Sequence, residues 1–210
     1  VLSPSGTGAE GLMAGIASTL WSGGILNLLV GPEESGGGIP LAAAFRHFNP
    51  QAPSGGRLRV GEGILDGVTN RVEVASVPLR LPCGSVKSRE EMDCEVRSRV
   101  LKAVGRGQLV LLHHNASSKT GNSAPSMELC LSLTREFPSQ VHRVVAALQG
   151  RASRSAIGRA VEAGSAVILT GSKFFQGPPF SAALLLPRRV TERLTAGPSI
   201  ELDPRYWCSC

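Results

Sequence analysis

The sequence of 210 residues lacks a long apolar run and contains few aspartates. No stretch approaches the ~18 consecutive apolar residues of a membrane-spanning helix, so we expect no membrane association. The amino terminus shows no secretory signal peptide. The three aspartates are Asp66, Asp93 and Asp203, and no Gly-x-Ser-x-Gly motif occurs. These absences argue against a Ser-His-Asp hydrolase.

Cysteine and histidine patterns that would bind a metal are also missing. The five cysteines do not form an even disulfide framework, and Cys208 and Cys210 are too close for a Cys-x-x-Cys pair. His47 and His142 show no ligand spacing, so we expect no metal. We interpret the cysteines as reduced thiols of a cytoplasmic protein. Because the chain starts at Val1 without a methionine, we expect a longer protein, and an organelle stays open if a targeting segment precedes it.

The positive charge is moderate. A net charge of +6 and a pI near 9.5 come from arginines scattered along the chain, and the basic doublet Arg188-Arg189 stands alone. A scattered distribution does not form the basic patch that nucleic-acid binding needs. We therefore expect no nucleic-acid partner.

Apolar runs alternate with helical patterns along the whole chain. This order is typical of an α/β fold with a doubly wound, mostly parallel sheet and helices on both faces. The predicted strands are Ile25–Val30, Val72–Val77, Leu109–His113, Val141–Ala146, Ala166–Thr170 and Ala182–Leu186, the last of them antiparallel. The predicted helices are Gly8–Leu20, Ile39–Phe48, Ser88–Val104, Ser126–Phe137, Ser153–Ala163 and Arg188–Leu194. The fourth helix should bury Cys130 on its apolar face.

Two local signals support individual helices. Behind an acidic first turn, Val96, Val100 and Leu101 have the spacing of a buried helix face. Ser153 has the residue type of an N-cap. The helix predictions therefore do not depend on apolar content alone.

A glycine-rich turn precedes the first helix. Gly6, Thr7 and Gly8 would expose backbone N–H groups at the helix start, where an anion such as phosphate binds, and the Ser5 hydroxyl would add a donor. Gly6, Gly8 and Gly11 also match Gly-x-Gly-x-x-Gly, and the Glu33-Glu34 pair follows at about the distance of a ribose-binding acid. A nicotinamide-dependent oxidoreductase is therefore an alternative.

Four polar turns follow predicted strands, and we expect them to meet at one edge of the sheet. Lys173 stands in the last of them, between two apolar runs. In such a partly dry place a lysine has a lowered pKa and can form a Schiff base. The four turns are Ser5-Gly6-Thr7, Asn115–Gly121, the end of the Val141–Ala146 strand with Gln149, and Thr170-Gly171-Ser172-Lys173.

These motifs, in this order, resemble the large domain of fold type I pyridoxal-phosphate (PLP) enzymes, in particular the class V aminotransferase and cysteine desulfurase branch. That branch has a Ser-Gly phosphate turn, an Asp-x-x-Gln/His pair, and a Ser/Thr-Gly-x-Lys turn followed by Gly-Pro. Here Gln149 and Lys173 are 24 residues apart (173 − 149), and Gly177-Pro178 follows the lysine. The resemblance covers about residues 3–190.

The resemblance implies a role for each matching residue. Lys173 would hold PLP as a Schiff base and then move protons at the substrate Cα. Gln149 would bond the ring oxygen of the cofactor, and Ser117 or Ser118 would face the ring or the substrate. The residues that would bind the phosphate are Ser5, Gly6, Thr7, Gly8, Thr170 and Ser172.

The sequence departs from that family at three points. Ala146 stands where the family has the aspartate that keeps the ring nitrogen protonated. The loop Gly31–Gly38 contains no aromatic residue to stack on the ring, although His113 or His114 are candidates. A small C-terminal domain is missing: residues 1–195 would be the PLP-binding domain and 196–210 the start of the next segment. Arg151 is a weak candidate for the substrate carboxylate.

The prediction is therefore a PLP-dependent transferase or lyase that acts on an amino acid, homodimeric in its full length. A catalytic cysteine of the desulfurase kind would have to be Cys208 or Cys210. Two alternatives to this PLP-dependent activity stay open. They are the nicotinamide oxidoreductase and a non-catalytic remnant of the PLP fold, impaired by Ala146.

Overall fold

The computed structural model describes residues 1–51, 55–116, 118–150, 152–171 and 181–197. In these ranges seven strands alternate with helices. The strands are β1 (Leu2–Ser3), β2 (Ile25–Val30), β3 (Val72–Val77), β4 (Leu109–Asn115), β5 (Val141–Ala147), β6 (Ala166–Thr170) and β7 (Ala182–Leu185). The helices are α1 (Gly6–Leu20), α2 (Ile39–Ala43), α3 (Asp66–Thr69), α4 (Arg89–Gly105), α5 (Met127–Glu136), α6 (Arg154–Glu162) and α7 (Arg188–Ala196).

The strands form one mixed sheet in the order β1-β7-β6-β5-β4-β2-β3. The neighbours from β6 to β3 are parallel, while β7 runs antiparallel to β6 and to β1. This confirms both the mostly parallel sheet and the antiparallel strand after β6. Because the parallel strands all end at the same edge, the turns that follow them are neighbours in space.

Helices cover both faces of the sheet. On one face α1 packs through Ala9, Leu12 and Met13 against a cluster that includes Ile25, Leu111, Val144 and Ile168. On the other face α4 and α5 bury Val96, Val100, Cys130 and Leu133 against Val110 and Leu112. Side chains alternate along each strand, so a fully buried strand supplies both clusters. This burial of both faces explains why the sequences of β2 and β4 are mostly continuous apolar runs.

The helices α4, α5 and α6 each have a serine as N-cap. Ser88, Ser126 and Ser153 each accept a hydrogen bond from a backbone N–H of the first turn, and each stands one residue before its helix. Ser88 and Glu91 form a reciprocal capping box. The predicted N-cap at Ser153 is thereby confirmed.

Two details of the helix predictions are wrong. The helix predicted over Ile39–Phe48 ends at Ala43, because Phe45 takes a left-handed φ of 56° and its ring is buried against Gly15 of α1. Packing of that ring outweighs the local helical pattern. Leu101 is 41% exposed, because it lies about 100° around α4 from the buried Val100.

Candidate functional site

A cleft lies at the carboxyl edge of the parallel strands, beside the start of α1. Its mouth is open to solvent, and its wall includes Gly6, Glu10, His113, Ala146, Leu148 and Ile168. Ala146 pairs with Asn115 of β4 on one side and with Ile168 of β6 on the other. The cleft therefore follows from the topology, since it brings together residues from four separate elements.

The start of α1 offers free backbone donors. Ser5 is the N-cap, and its Oγ accepts a hydrogen bond of 2.9 Å from the N–H of Gly8. Among the described residues, no acceptor takes the N–H of Gly6 or Thr7. Unpaired N–H groups at the positive end of a helix of this length favour an anion. The N–H of Gly8 is already donated to Ser5, so Gly6 and Thr7 remain for a ligand.

Gly6 has no room for a side chain. A Cβ built on it would lie 2.7 Å from Cγ2 of Thr170 and 3.6 Å from Cδ2 of Leu148. The turn before α1 therefore touches the ends of β5 and β6 directly. This contact brings two of the predicted sites together: the glycine turn and Thr170.

A second glycine loop approaches the same turn. A Cβ on Gly38 would lie 3.3 Å from Cγ2 of Thr7, and one on Gly36 would lie 3.8 Å from Oγ1 of Thr7. The loop that follows β2 can pass this close to the cleft because it carries no side chains there. Its glycines thus shape the mouth of the cleft, although they contribute no aromatic ring.

The segment that contains Lys173 starts at this edge. The N–H of Gly171 donates to the carbonyl of Ser181 at 3.1 Å, so the chain leaves the end of β6 and returns to β7 at the same place. Ser172 and Lys173 lie outside the described residues, as do Arg151 and Ser117. Gln149 belongs to a 3₁₀ turn, Leu148–Gly150, directly after β5, and its side chain is not described.

Beneath the cleft lies a buried polar trio that the sequence analysis missed. Glu10, Asn27 and His113 come from α1, β2 and β4, and each is at most 6% exposed. Oε1 of Glu10 lies 3.1 Å from Nδ2 of Asn27 and 3.1 Å from Nε2 of His113. Nε2 of His113 is also 2.6 Å from Oδ1 of Asn27. The sequence did contain a sign of this trio, because Asn27 interrupts an otherwise apolar strand. A buried amide requires hydrogen-bond partners, so other polar side chains had to lie near it.

The adjacent histidines face opposite sides of the sheet, because side chains alternate along a strand. His113 belongs to the cleft. His114 lies on the face covered by α4 and α5, where its Nδ1 is 2.9 Å from the carbonyl of Pro125. Burial lowers the pKa of His114, the Pro125 carbonyl opposes the shift, and Arg143 adds to it. Of the two histidines, His113 is therefore the one beside the cleft.

Ser118 is buried in the turn after β4, and its hydroxyl is engaged there. Its Oγ accepts the N–H of Asn122 at 3.0 Å and lies 3.4 Å from Oγ1 of Thr120. The same turn is held by Glu34, which accepts hydrogen bonds from the N–H and the hydroxyl of Thr120. Ser118 is not part of the wall of the cleft, so its role toward a cofactor stays a proposal.

The Glu33-Glu34 pair ties loops together. Glu33 accepts the N–H groups of Leu79 and Arg80, while the buried Glu34 forms an ion pair with Arg80 at 3.3 Å. Burial raises the pKa of Glu34, but hydrogen bonds from Thr120 and Arg80 outweigh it and hold the pKa below its usual range. The sequence analysis had placed these glutamates as ribose ligands of the nicotinamide alternative, but both oxygens of Glu34 and one oxygen of Glu33 bind these loops instead.

The sheet order also disfavours the nicotinamide alternative. In a dinucleotide-binding sheet the glycine turn follows a central strand. Here it follows β1, a two-residue edge strand beside the antiparallel β7. Gly11 lies inside α1 with only ordinary contacts, the nearest being the carbonyl of Ala42 at 3.7 Å from a built Cβ. The Gly-x-Gly-x-x-Gly match is therefore not a dinucleotide fingerprint.

Replacing Glu34 by glutamine tests its structural role. Because the folded pKa is depressed, the ionised Glu34 stabilises the fold above the unfolded carboxyl pKa of about 4.3, and this contribution disappears as pH falls through the folded pKa. We expect Glu34→Gln to lower the free energy of unfolding by about 1–3 kcal/mol at pH 7 and by much less in acid. Urea unfolding at both pH values measures this, with the exposed Glu90→Gln as control. An equal loss at both pH values would contradict the assignment.

The described residues show neither a membrane-length helix nor a metal cluster. No helix in these ranges is long and apolar enough to cross a bilayer. No group of three or more His, Cys, Asp or Glu side chains in the same ranges is arranged to hold a metal ion.

Comparison with known proteins gives a likeness in structure only. No protein-family model matches the sequence, and no curated protein does. The structure of mouse CSAD in apo form matches with a TM-score of 0.55 and 17% identity, over 96% of this chain and 40% of that one. An aspartate aminotransferase from Trypanosoma cruzi (TM-score 0.49, 12% identity) and a histidinol-phosphate aminotransferase from Clostridium acetobutylicum (0.48, 13%) match over 91% and 93% of this chain.

The chain spans less than half the length of these three structures, 40%, 45% and 47% respectively. At such identities the likeness shows the fold and not the activity. The aminotransferase matches, with TM-scores below 0.5, carry no argument of their own. The first match and the strand order agree with the fold class expected from the sequence. The chain has a mixed seven-stranded α/β fold like that of the mouse CSAD structure.

Proposed function

We propose that the cleft binds pyridoxal phosphate and that the chain belongs to a transferase or lyase acting on an amino acid. The observation that carries this proposal is the contact between the helix start at Gly6 and Thr170, three residues before Lys173 in the sequence. The proposal requires the amine of Lys173 to lie at the same edge of the sheet as this anion site. A phosphorylated carbonyl compound needs both.

The phosphate end of the cleft fits this cofactor. The N–H groups of Gly6 and Thr7 are free among the described residues, and the hydroxyl hydrogen of Ser5 remains available beside them. The dipole of the 15-residue α1 favours the negative charge. Thr170 stands against Gly6 from the end of β6. We infer that these residues, with Ser172, hold the phosphate, while the N–H of Gly8 stays bound to the Ser5 hydroxyl.

The other end of the cleft accommodates a ring. Ala146, Leu148 and Ile168 give it an apolar wall, and His113 closes it from β4. Such walls exclude water and strengthen polar contacts made inside the site. When bound, pyridoxal phosphate supplies an electron sink for charge that develops at the substrate Cα. Gln149 would hold its ring oxygen from the turn after β5.

The proposed task of Lys173 is covalent attachment of the cofactor and proton transfer at the substrate Cα. An amine can do both if it stands at the edge of a partly dry cleft, where its pKa is lowered. Three further proposals rest on the sequence motifs alone. They are a class V or desulfurase-like reaction, a position of Ser118 near the substrate, and a homodimer. A desulfurase would further need Cys208 or Cys210 as a nucleophile.

The experiment is direct. The purified protein is titrated with pyridoxal phosphate, and we expect a visible absorption band that disappears on borohydride reduction. Peptide mapping should then find the reduced cofactor on Lys173. Pyridoxal without its phosphate is the matched ligand control and should bind much more weakly. No band, or a label spread over surface lysines, would refute the proposal.

The non-catalytic remnant predicts a different combination of results. Such a protein would bind and trap the cofactor on Lys173 but would not turn over any amino acid. Assays with a panel of amino acids, scored by spectral change of the bound cofactor, separate this case from an active enzyme. The result also tests the effect of Ala146 on activity, because alanine stands where an aspartate is expected near the ring nitrogen.

A further inference from the structure

A carboxylate lies inside the cleft although β5 provides none. Glu10 is 2% exposed, belongs to the wall of the cleft, and follows Gly6 by about one turn of α1, roughly 6 Å along the helix axis. Ala146, by contrast, presents only a methyl group at the end of β5. The acidic group of this cleft therefore comes from the helix that also carries the anion site.

The orientation of Glu10 is fixed by its neighbours. Nδ2 of Asn27 donates to Oε1 of Glu10 and to the carbonyl of Ala43, both at 3.1 Å. The amide oxygen of Asn27 must then face His113, so Nε2 of His113 has only acceptors around it and carries a hydrogen. Oε1 of Glu10 therefore accepts from Asn27, while the Nε2–H of His113 lies 3.1 Å from that oxygen and closer, at 2.6 Å, to Oδ1 of Asn27.

The second oxygen of Glu10 is unengaged. Among the described residues no hydrogen bond or ion pair reaches Oε2, and no Lys or Arg lies within ion-pair distance of this carboxylate. A carboxylate this deeply buried is costly unless it is paired with a positive charge or further donors. Because Glu10 stands in the wall of the cleft, a ligand bound there can take that oxygen.

We propose that Glu10, positioned by Asn27 and His113, provides the negative charge for the protonated ring nitrogen of the cofactor in place of an acid at position 146. This inference rests on the proposed function. A pyridinium N–H is a positively charged donor, which matches the one free oxygen of a buried carboxylate. Ala146 and Glu10 line the same cleft, and an aspartate at position 146 would bring a second negative charge to it.

The test compares two ligands that differ at one atom. They are pyridoxal phosphate and its 1-deaza analogue, in which carbon replaces the ring nitrogen. If Glu10 pairs with the nitrogen, the unaltered protein should bind pyridoxal phosphate about 10- to 100-fold more tightly than the analogue. Glu10→Gln should abolish this preference and leave the affinity for the analogue unchanged. The double variant Glu10→Gln, Ala146→Asp should restore it.

The outcomes separate the two proposals. If neither ligand binds the unaltered protein, the proposed function fails and this inference with it. If both bind equally well, or if the preference survives in Glu10→Gln, only the role of Glu10 is refuted. The comparison in the unaltered protein needs no variant, so an absent preference refutes the role of Glu10 even if Glu10→Gln does not fold. Glu162→Gln, on the exposed side of α6, is the control and should keep the full preference.

Discussion

If the proposed function holds, replacing Lys173 by alanine should lower the turnover of amino acids by roughly 10³-fold, because the group proposed to attach the cofactor and move the Cα proton is lost. The borohydride-trapped adduct should disappear in the same variant. Non-covalent affinity for pyridoxal phosphate should fall less, since the helix start at Gly6 and Thr7 still holds the phosphate. Single-turnover kinetics and mass spectrometry of the reduced protein measure the two effects.

Lys102→Ala is the matched control for this experiment. Lys102 is exposed on α4, on the far side of the sheet from the cleft, and forms no ion pair with the described residues. It should keep both the adduct and the turnover. If Lys102→Ala loses the adduct to the same degree, or Lys173→Ala keeps it, the lysine of the cofactor site is a different one.

Replacing Gly6 by valine should weaken the affinity for pyridoxal phosphate by about 100-fold or more and lower the free energy of unfolding by about 1–3 kcal/mol. The cause is steric, because a Cβ at this position would lie 2.7 Å from Cγ2 of Thr170, a stiff branched side chain at the end of β6. The helix start and the end of β6 would have to separate. Equilibrium titration and urea unfolding measure the two losses.

Gly11→Ala and Gly158→Ala are the controls for this prediction. A Cβ on Gly11 meets only an ordinary contact at 3.7 Å, and one on Gly158 meets nothing within 4 Å. Both glycines lie inside helices, where alanine should add about 0.5–1 kcal/mol of stability. Cofactor affinity should not change in either. A loss in Gly11→Ala equal to that in Gly6→Val would revive the dinucleotide interpretation, which requires all three glycines.

The strands were predictable because their signal is local. Ile25–Val30, Val72–Val77 and Ala166–Thr170 have the bounds expected from the sequence. The first is an apolar run that fills a fully buried strand, whereas Val72–Val77 is a partly buried edge strand that also contains Glu73 and Ser76. Serine caps fixed the starts of α4, α5 and α6 for the same reason. The end of α2 was not predictable, because the buried ring of Phe45 depends on Gly15, which is 30 residues away in the chain (45 − 15).

Some residues of the candidate site were also predictable from the sequence, and others were not. The motifs alone indicated the anion-binding turn at Ser5–Gly8 and the turn at Thr170, and the fold placed these two in contact. They did not indicate Glu10, because a glutamate within a helical pattern normally faces solvent. Nor did they show that Glu33 and Glu34 hold loops. Each of these roles depends on which side chains from distant elements surround the carboxylate.

Periodicity and neighbours within a few residues were enough to predict the alternation of strands and helices, the antiparallel last strand and the order of the polar turns. The tertiary structure decided that Gly6 touches Thr170 and that Glu10, Asn27 and His113 form one buried cluster. Such contacts join residues up to 164 positions apart (170 − 6). Only the packing of α1 on the sheet brings them within reach of each other.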